Sequence, residues 1–212
     1  MELKGKIIDF LGDSITEGNG VTSAQYRYDT IIKEKCGLKA AYNYGIGGTR
    51  IAHKKVPSEL AFFDLDFCGR AYFLNPDADI ILVYGGTNDF STGDAPFGEM
   101  TDNTPATFCG AVECLMNILT TKYAGKQIVF LTPSRRAGDV PSNDRTPLKA
   151  FVDVIVQKAE KYGIPVLNLY EKLGINPNIK EDCEKYTTDG LHLNNAGHAV
   201  LAECVIEFLN NI

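Results

Sequence analysis

The stretch KIIDFLGDSITEGNG, residues 6–20, sets the reading of this chain: an apolar run stops abruptly at a glycine, an acid and a serine. Related runs recur as AAYNYGIGG (40–48), ADIILVYGGTND (78–89), QIVFLTPSRR (127–136) and PVLNL (165–169). Strands are therefore expected at Lys6–Leu11, Ala40–Asn43, Ala78–Tyr84, Gln127–Thr132 and Pro165–Leu169. Several are apolar at successive positions, as strands covered on both faces require. Helical patterns separate them, and that alternation predicts an α/β domain built on a mainly parallel sheet.

The clearest helical pattern is Leu148, Phe151, Val152, Ile155, Ala159 and Tyr162, which recur at steps of three and four and so share one face. Thr146 is expected to cap this helix, Pro147 to occupy its first turn, and Gly163 with Pro165 to end it. A last helix is expected from Asn195 to Leu209, with Leu201, Cys204, Val205 and Phe208 facing inward. The segment Val56–Leu74 is also expected to be helical.

At 212 residues the chain fits one domain spanning 1–212, large enough to bury a substantial core. No apolar run approaches the roughly 18 residues of a membrane span, so no membrane insertion is expected. A net charge of −6 without a concentrated run of Lys and Arg argues against a nucleic-acid or anionic-membrane surface, leaving a small molecule as the partner. The first ten residues hold no apolar signal region, which predicts a cytoplasmic protein. Six cysteines are scattered without a C-x-x-C, so they read as reduced thiols. The three histidines lie near no cysteine pair, and neither a metal nor a cofactor is implied.

Four short blocks carry the chemistry: Gly12-Asp13-Ser14-Ile15-Thr16, Asn43 to Thr49 (NYGIGGT), Gly85-Gly86-Thr87-Asn88-Asp89 and Asp189-Gly190-Leu191-His192. In this order they resemble the conserved blocks of the SGNH hydrolases, also called GDSL esterases and lipases, and they span nearly the whole chain. The resemblance implies a three-layer sandwich around a five-stranded sheet of flavodoxin-like order 2-1-3-4-5. It implies a carboxylic ester hydrolase needing no cofactor, with Ser14 as nucleophile, His192 as base and Asp189 orienting that base. The oxyanion donors it implies are the backbone N–H groups of Ser14 and Gly48 and the side-chain amide of Asn88, with the neighbouring Gly47 as the competing assignment.

Physical chemistry agrees with these roles. A serine hydroxyl needs a base during attack, and an acid three residues before a histidine can hold one ring nitrogen and leave the other for Ser14. In an open parallel sheet, ligands bind beyond the carboxyl ends of the strands, where Ser14, Gly48 and Asn88 each follow a strand. Each residue also has a structural reading. Ser14 can cap a helix, the glycines can form a turn, and Asn88 and Asp189-Gly190 are ordinary turn formers; four ordered blocks are poorly explained by independent turns.

Arg135 and Arg136 follow the fourth strand and are candidates for binding an acidic or sugar substrate. His53 is expected to be solvated beside Lys54 and Lys55, His198 to lie in the last helix, and Asp13 and Asp89 to fix loops through backbone hydrogen bonds. The polar loops Phe90–Thr107 and Arg135–Arg145 are expected to frame the mouth. They favour a short acyl group on a polar carrier such as an acetylated carbohydrate, with a lysophospholipid or thioester as alternatives. Two rival functions remain. One is a nucleotide- or flavin-binding protein, although Arg50 occupies the final glycine position of a G-x-G-x-x-G. The other is a silent binding domain on the same fold.

Overall fold

All five side chains of the run Ile80–Tyr84 are buried, and they alternate between two apolar layers. Ile80, Leu82 and Tyr84 join one core, while Ile81 and Val83 join the other. That two-sided burial is what a successive apolar run requires, and it places this strand in the middle of the molecule. The computed structural model describes residues 1–140 and 145–212.

In chain order the elements are β1 (Ile7–Gly12), α1 (Ser14–Glu17), α2 (Tyr28–Cys36), β2 (Ala40–Gly45), α3 (Phe67–Arg70), β3 (Ile80–Tyr84), α4 (Thr87–Ser91) and α5 (Phe108–Lys122). They continue with β4 (Gln127–Leu131), α6 (Leu148–Tyr162), β5 (Val166–Leu167), α7 (Leu169–Lys172), α8 (Lys180–Tyr186) and α9 (Asn195–Asn210). The strands form one sheet in the order β2-β1-β3-β4-β5, with every neighbouring pair parallel. Helices α5 and α6 cover one face and α2 and α9 the other, giving the three layers expected from the sequence. Among the described residues, no helix is long and apolar enough to cross a membrane.

Register fixes where the loops emerge. Gly12 lies opposite Gly45 on one side and Tyr84 on the other. The chain therefore leaves β1, β2 and β3 at one edge, side by side, with the blocks that follow them adjacent in space.

Three local expectations change. Val56–Leu74 is not one helix: it holds short 3₁₀ turns at Ala61–Asp64 and Ala71–Phe73 and the four residues of α3. Its apolar side chains are divided, Phe67 and Ala71 facing the core while Leu60, Phe62 and Phe73 remain exposed, so no continuous helical face is buried. Thr146 does not cap α6. Pro147 stands at the cap position, and the Leu148 N–H donates to the Asp139 carbonyl at 3.0 Å, so the preceding loop supplies the acceptor. Gly163 ends α6 in the left-handed region as expected. In α9 the buried face is Leu201, Ala202, Val205 and Leu209, while Cys204 and Phe208 are half-buried at its border.

Asp9 interrupts the apolar pattern of β1 and is fully buried. Its Oδ2 accepts from the Asn75 N–H at 2.7 Å, and Oδ1 has no partner among the described residues. Burial pushes its carboxyl up to about 6, against the opposing effect of that backbone hydrogen bond. A raised carboxyl binds a proton more readily when folded, so this group lowers stability as pH rises from about 4 to 6. Relative to wild type, Asp9→Asn is expected to gain stability across that window, by up to about 3 kcal/mol, and to hold the gain above it. Urea unfolding of both proteins at pH 4 and 7.5 checks this; a pH-independent difference contradicts it.

Candidate active site

Helix α1 starts where β1 ends, and Asp13, not Ser14, caps it: the Asp13 carboxylate accepts from the Ile15 N–H at 3.0 Å. The capping alternative for Ser14 is thereby removed, and its hydroxyl is free for another partner. The helix lies directly across the end of β2, because a Cβ on Gly45 would stand 2.1 Å from the Glu17 backbone nitrogen. Only glycine permits that approach.

The partner of Ser14 comes from the other end of the chain. Ser14 Oγ lies 3.0 Å from His192 Nε2, and His192 Nδ1 lies 2.7 Å from Asp189 Oδ2. The carboxylate can only accept, so the Nδ1–H donates to it and Nε2 is left to accept from Ser14. Asp189 Oδ1 also accepts from the N–H groups of Leu191 and His192 at 2.9 and 2.7 Å. Burial raises the Asp189 carboxyl, but the hydrogen bonds from the His192 ring and the two backbone groups outweigh it and hold the group below its ordinary value. The turn itself is fastened by the Thr188 N–H on the His192 carbonyl (2.9 Å) and the Ala137 N–H on the Gly190 carbonyl (2.8 Å).

Gly47 and Gly48 are distinguished by their surroundings. The Gly47 N–H donates to Glu17 Oε2 at 2.9 Å, while no described residue accepts from the Gly48 N–H. Gly48 has φ +73°, and a Cβ there would lie 2.9 Å from the Phe63 ring, so both backbone angle and space demand glycine. Asn88 is buried in α4 and donates one amide N–H to the Thr49 carbonyl at 2.9 Å. Its second amide N–H remains for the cavity it lines.

That open cavity, about 440 Å³, brings Ser14, Gly48, Asn88 and His192 together. Phe62, Phe63 and Leu191 supply its apolar lining, and Glu17 and Asn19 its polar rim. A larger hollow of about 800 Å³ lies at the opposite edge of the sheet around Lys4, Lys6 and Asp79, remote from this chemistry.

Arg70 was not singled out by the sequence, yet it ties the loops together. Its guanidinium donates to the carbonyls of Gly12 (3.0 Å) and Tyr44 and to Thr49 Oγ1 (2.8 Å). Burial pulls it down to about 10, opposed by the charges of Asp13 and Asp66, so it remains a cation at neutral pH. Asp89 accepts from the N–H groups of Ile51 and Ala52 at 3.0 and 2.9 Å. Asp13 and Asp89 thus fix loops, as expected, and burial pushes both up to about 6.

Other expectations do not converge on the site. Arg135 stacks over Tyr170 at 4.3 Å and pairs with Asp139 at 3.3 Å; Arg136 donates to Thr87 Oγ1 at 3.1 Å and lies over Phe90. Neither lines the cavity. His53 is paired with Asp66 rather than simply solvated. His198 is buried in α9, where its Nδ1 accepts from the Tyr28 N–H at 3.2 Å, a structural position. The Phe90–Thr107 loop does not frame the mouth, because Phe97 packs on Phe108 and Phe151 and draws it toward α5 and α6. Pro141–Asp144, within the other expected loop, lie outside the described residues. The mouth is formed instead by Phe62 and Phe63, a pair with no periodic signal to mark it.

Comparison with known proteins agrees with the fold. The model of the GDSL-like Lipase/Acylhydrolase family matches residues 10–200. A Lactobacillus plantarum protein of known structure is 30% identical, with a TM-score of 0.85 over 98% of both chains. A candidate GDSL-like lipase from Bacteroides uniformis is 20% identical, with a TM-score of 0.73 over 98% of this chain and 96% of that one. A variant of an acetyl-xylooligosaccharide esterase from Geobacillus is 18% identical, with a TM-score of 0.66 over 99% and 96%. Among curated proteins, none matches the chain.

Gly48→Ala is expected to destabilise the protein by about 1–3 kcal/mol through its backbone angle and the Phe63 ring. Adding Phe63→Ala should recover the steric part, so the double variant is more stable than the sum of the single effects predicts. Strict additivity in urea unfolding would show that the ring contact carries no cost.

Proposed function

The chain belongs to the GDSL-like lipase/acylhydrolase family, and on that premise we propose that it is a serine ester hydrolase in which Ser14, His192 and Asp189 are catalytic. The observation that carries this reading is the pair of contacts Ser14 Oγ to His192 Nε2 at 3.0 Å and His192 Nδ1 to Asp189 Oδ2 at 2.7 Å. Independent turn formers have no reason to align a hydroxyl, an imidazole and a carboxylate in sequence.

In the proposed reaction, Ser14 Oγ attacks the ester carbonyl as His192 Nε2 takes its proton. The tetrahedral oxyanion is stabilised by the N–H groups of Ser14 and Gly48 and by the Asn88 amide. Gly48 is preferred to Gly47 because Glu17 already occupies the Gly47 N–H. His192 then protonates the departing alcohol oxygen, the carbonyl–alcohol bond breaks, and Ser14 is left acylated. A water deprotonated by the same histidine attacks the acyl-enzyme, releasing the acid and restoring the Ser14 hydroxyl.

The substrate class we propose is a short acyl ester of a polar alcohol, for which an acetylated carbohydrate is the representative. The support is the shape of the mouth: Glu17 and Asn19 present hydrogen-bonding groups beside the exposed ring of Phe62, so a polar ring with apolar edges has partners on both sides.

An organophosphonate ester should label Ser14 covalently, read by intact mass and peptide mapping. Labelling should vanish in Ser14→Ala and slow greatly in His192→Ala; label on another serine would overturn the mechanism. Asn88→Ala should lower kcat by about 10²–10³, or about 2.7–4 kcal/mol, with a smaller change in KM, the effect of removing one oxyanion donor. A folded variant with near-normal kcat on p-nitrophenyl acetate would assign Asn88 a structural role alone.

A further inference from the structure

We propose that Glu17 is a specificity-determining residue that admits esters of uncharged, hydroxyl-bearing alcohols and disfavours those whose alcohol part carries a carboxylate or phosphate. This rests on the hydrolase reading of the same site and assigns the charge class of its substrate.

Glu17 is exposed and stands on the rim of the cavity that holds Ser14. Its carboxylate is anchored, because Oε2 accepts from the Gly47 N–H at 2.9 Å. It is also close to the reacting group. The position a Gly47 Cβ would take is 2.7 Å from Glu17 Oε2 and 3.6 Å from Ser14 Cβ, so the two side chains lie within the sum of those distances.

No fixed cation offsets it on the cavity wall. Among the described lining residues, neither a lysine nor an arginine appears. The nearby guanidiniums do not line the cavity and are engaged elsewhere: Arg27, whose side chain passes beside Gly18, pairs with Asp29 at 3.0 Å. Arg70 donates to backbone carbonyls and Thr49 and feels Asp13 and Asp66. Arg50 donates to the carbonyls of Thr92 and Phe63 and lies in the field of Asp89. Arg136 is held on Thr87 and feels Asp189. Each of these cations is therefore engaged by hydrogen bonds away from the cavity. Asp189, the other exposed carboxylate here, faces the His192 ring. An anion entering the cavity thus meets, among the described lining residues, one carboxylate and neither a lysine nor an arginine, whereas a hydroxyl group meets hydrogen-bond acceptors on Glu17 and a donor and acceptor on Asn19.

At a separation of about 6 Å, between a solvated and a half-solvated dielectric, one negative charge is disfavoured by about three- to tenfold. Added salt should weaken the effect at this exposed position.

The test compares methyl 4-acetoxybenzoate with 4-acetoxybenzoate, which differ in one carboxylate on the leaving alcohol. The ratio of their kcat/KM values, neutral over anionic, is measured in wild type, Glu17→Gln and Glu17→Asp. Glutamine retains an acceptor for the Gly47 N–H without the charge, and using the ratio cancels any general effect on the loop. The ratio should fall about three- to tenfold in Glu17→Gln, remain near wild type in Glu17→Asp, and fall with salt in wild type more than in Glu17→Gln. An unchanged ratio in Glu17→Gln overturns the proposal while Ser14-dependent turnover of the neutral ester leaves the hydrolase reading standing. Turnover of the neutral ester by Ser14→Ala at the wild-type rate overturns the hydrolase reading, and the proposal with it.

Discussion

One hydrogen bond, from Ser14 Oγ to His192 Nε2, joins residues 178 positions apart, and the rest of the architecture makes that contact possible. A serine at the end of the first strand and a histidine just before the last helix meet only if the sheet delivers the first and the final helix delivers the second. Parallel pairing of β1 with β2 and β3 sends three successive loops out of one edge. The turn preceding α9 returns the chain to that edge, closed by an antiparallel bridge between Thr187 and Leu193. Asn194 caps the helix beyond it through the N–H groups of Ala196 and Gly197, which fixes where the turn ends.

Holding loops at a sheet edge requires polar groups in places that water cannot fully reach. Arg70, Asp13 and Asp89 meet that need by spending their hydrogen bonds on backbone carbonyls and N–H groups. The opposing effect is visible in the two carboxyls, which burial pushes up to about 6 although each accepts backbone hydrogen bonds. These side chains stiffen the frame around Ser14, and they illustrate why charged residues near a candidate nucleophile need not line its cavity. Arg135 and Arg136 make the same point. Their positions after β4 suggested ligand binding, but a carboxylate, a threonine and two aromatic rings already occupy them.

Much of this molecule was legible in the residues themselves. Successive apolar positions in Ile80–Tyr84 announce a strand buried on both sides, and the structure sends alternate members of that run into two cores. The periodicity of α6 and the stop at Gly163 are equally local, because a helix presents residues three and four apart on one face and a left-handed cap favours glycine. The four blocks and their order identified the residues that now stand around one cavity.

What the sequence determined by itself was the period of each element, the class of the sheet and the chemical identity of the candidate site residues, since these depend on side-chain type and near-neighbour spacing. Only the tertiary structure decided which glycine N–H is free, because that choice turns on Glu17 reaching back to Gly47 across 30 positions. It also decided that Val56–Leu74 would not be one helix: a short apolar run has no period to declare whether it will be buried, and here part of it covers the core while Phe62 and Phe63 line the mouth. The anchoring of the Phe90–Thr107 loop by Phe97, and the role of Arg70 as a clamp on two strands, likewise rest on contacts between residues distant in the chain. Such contacts leave no mark in local spacing, because they exist only once the sheet has brought its edges together.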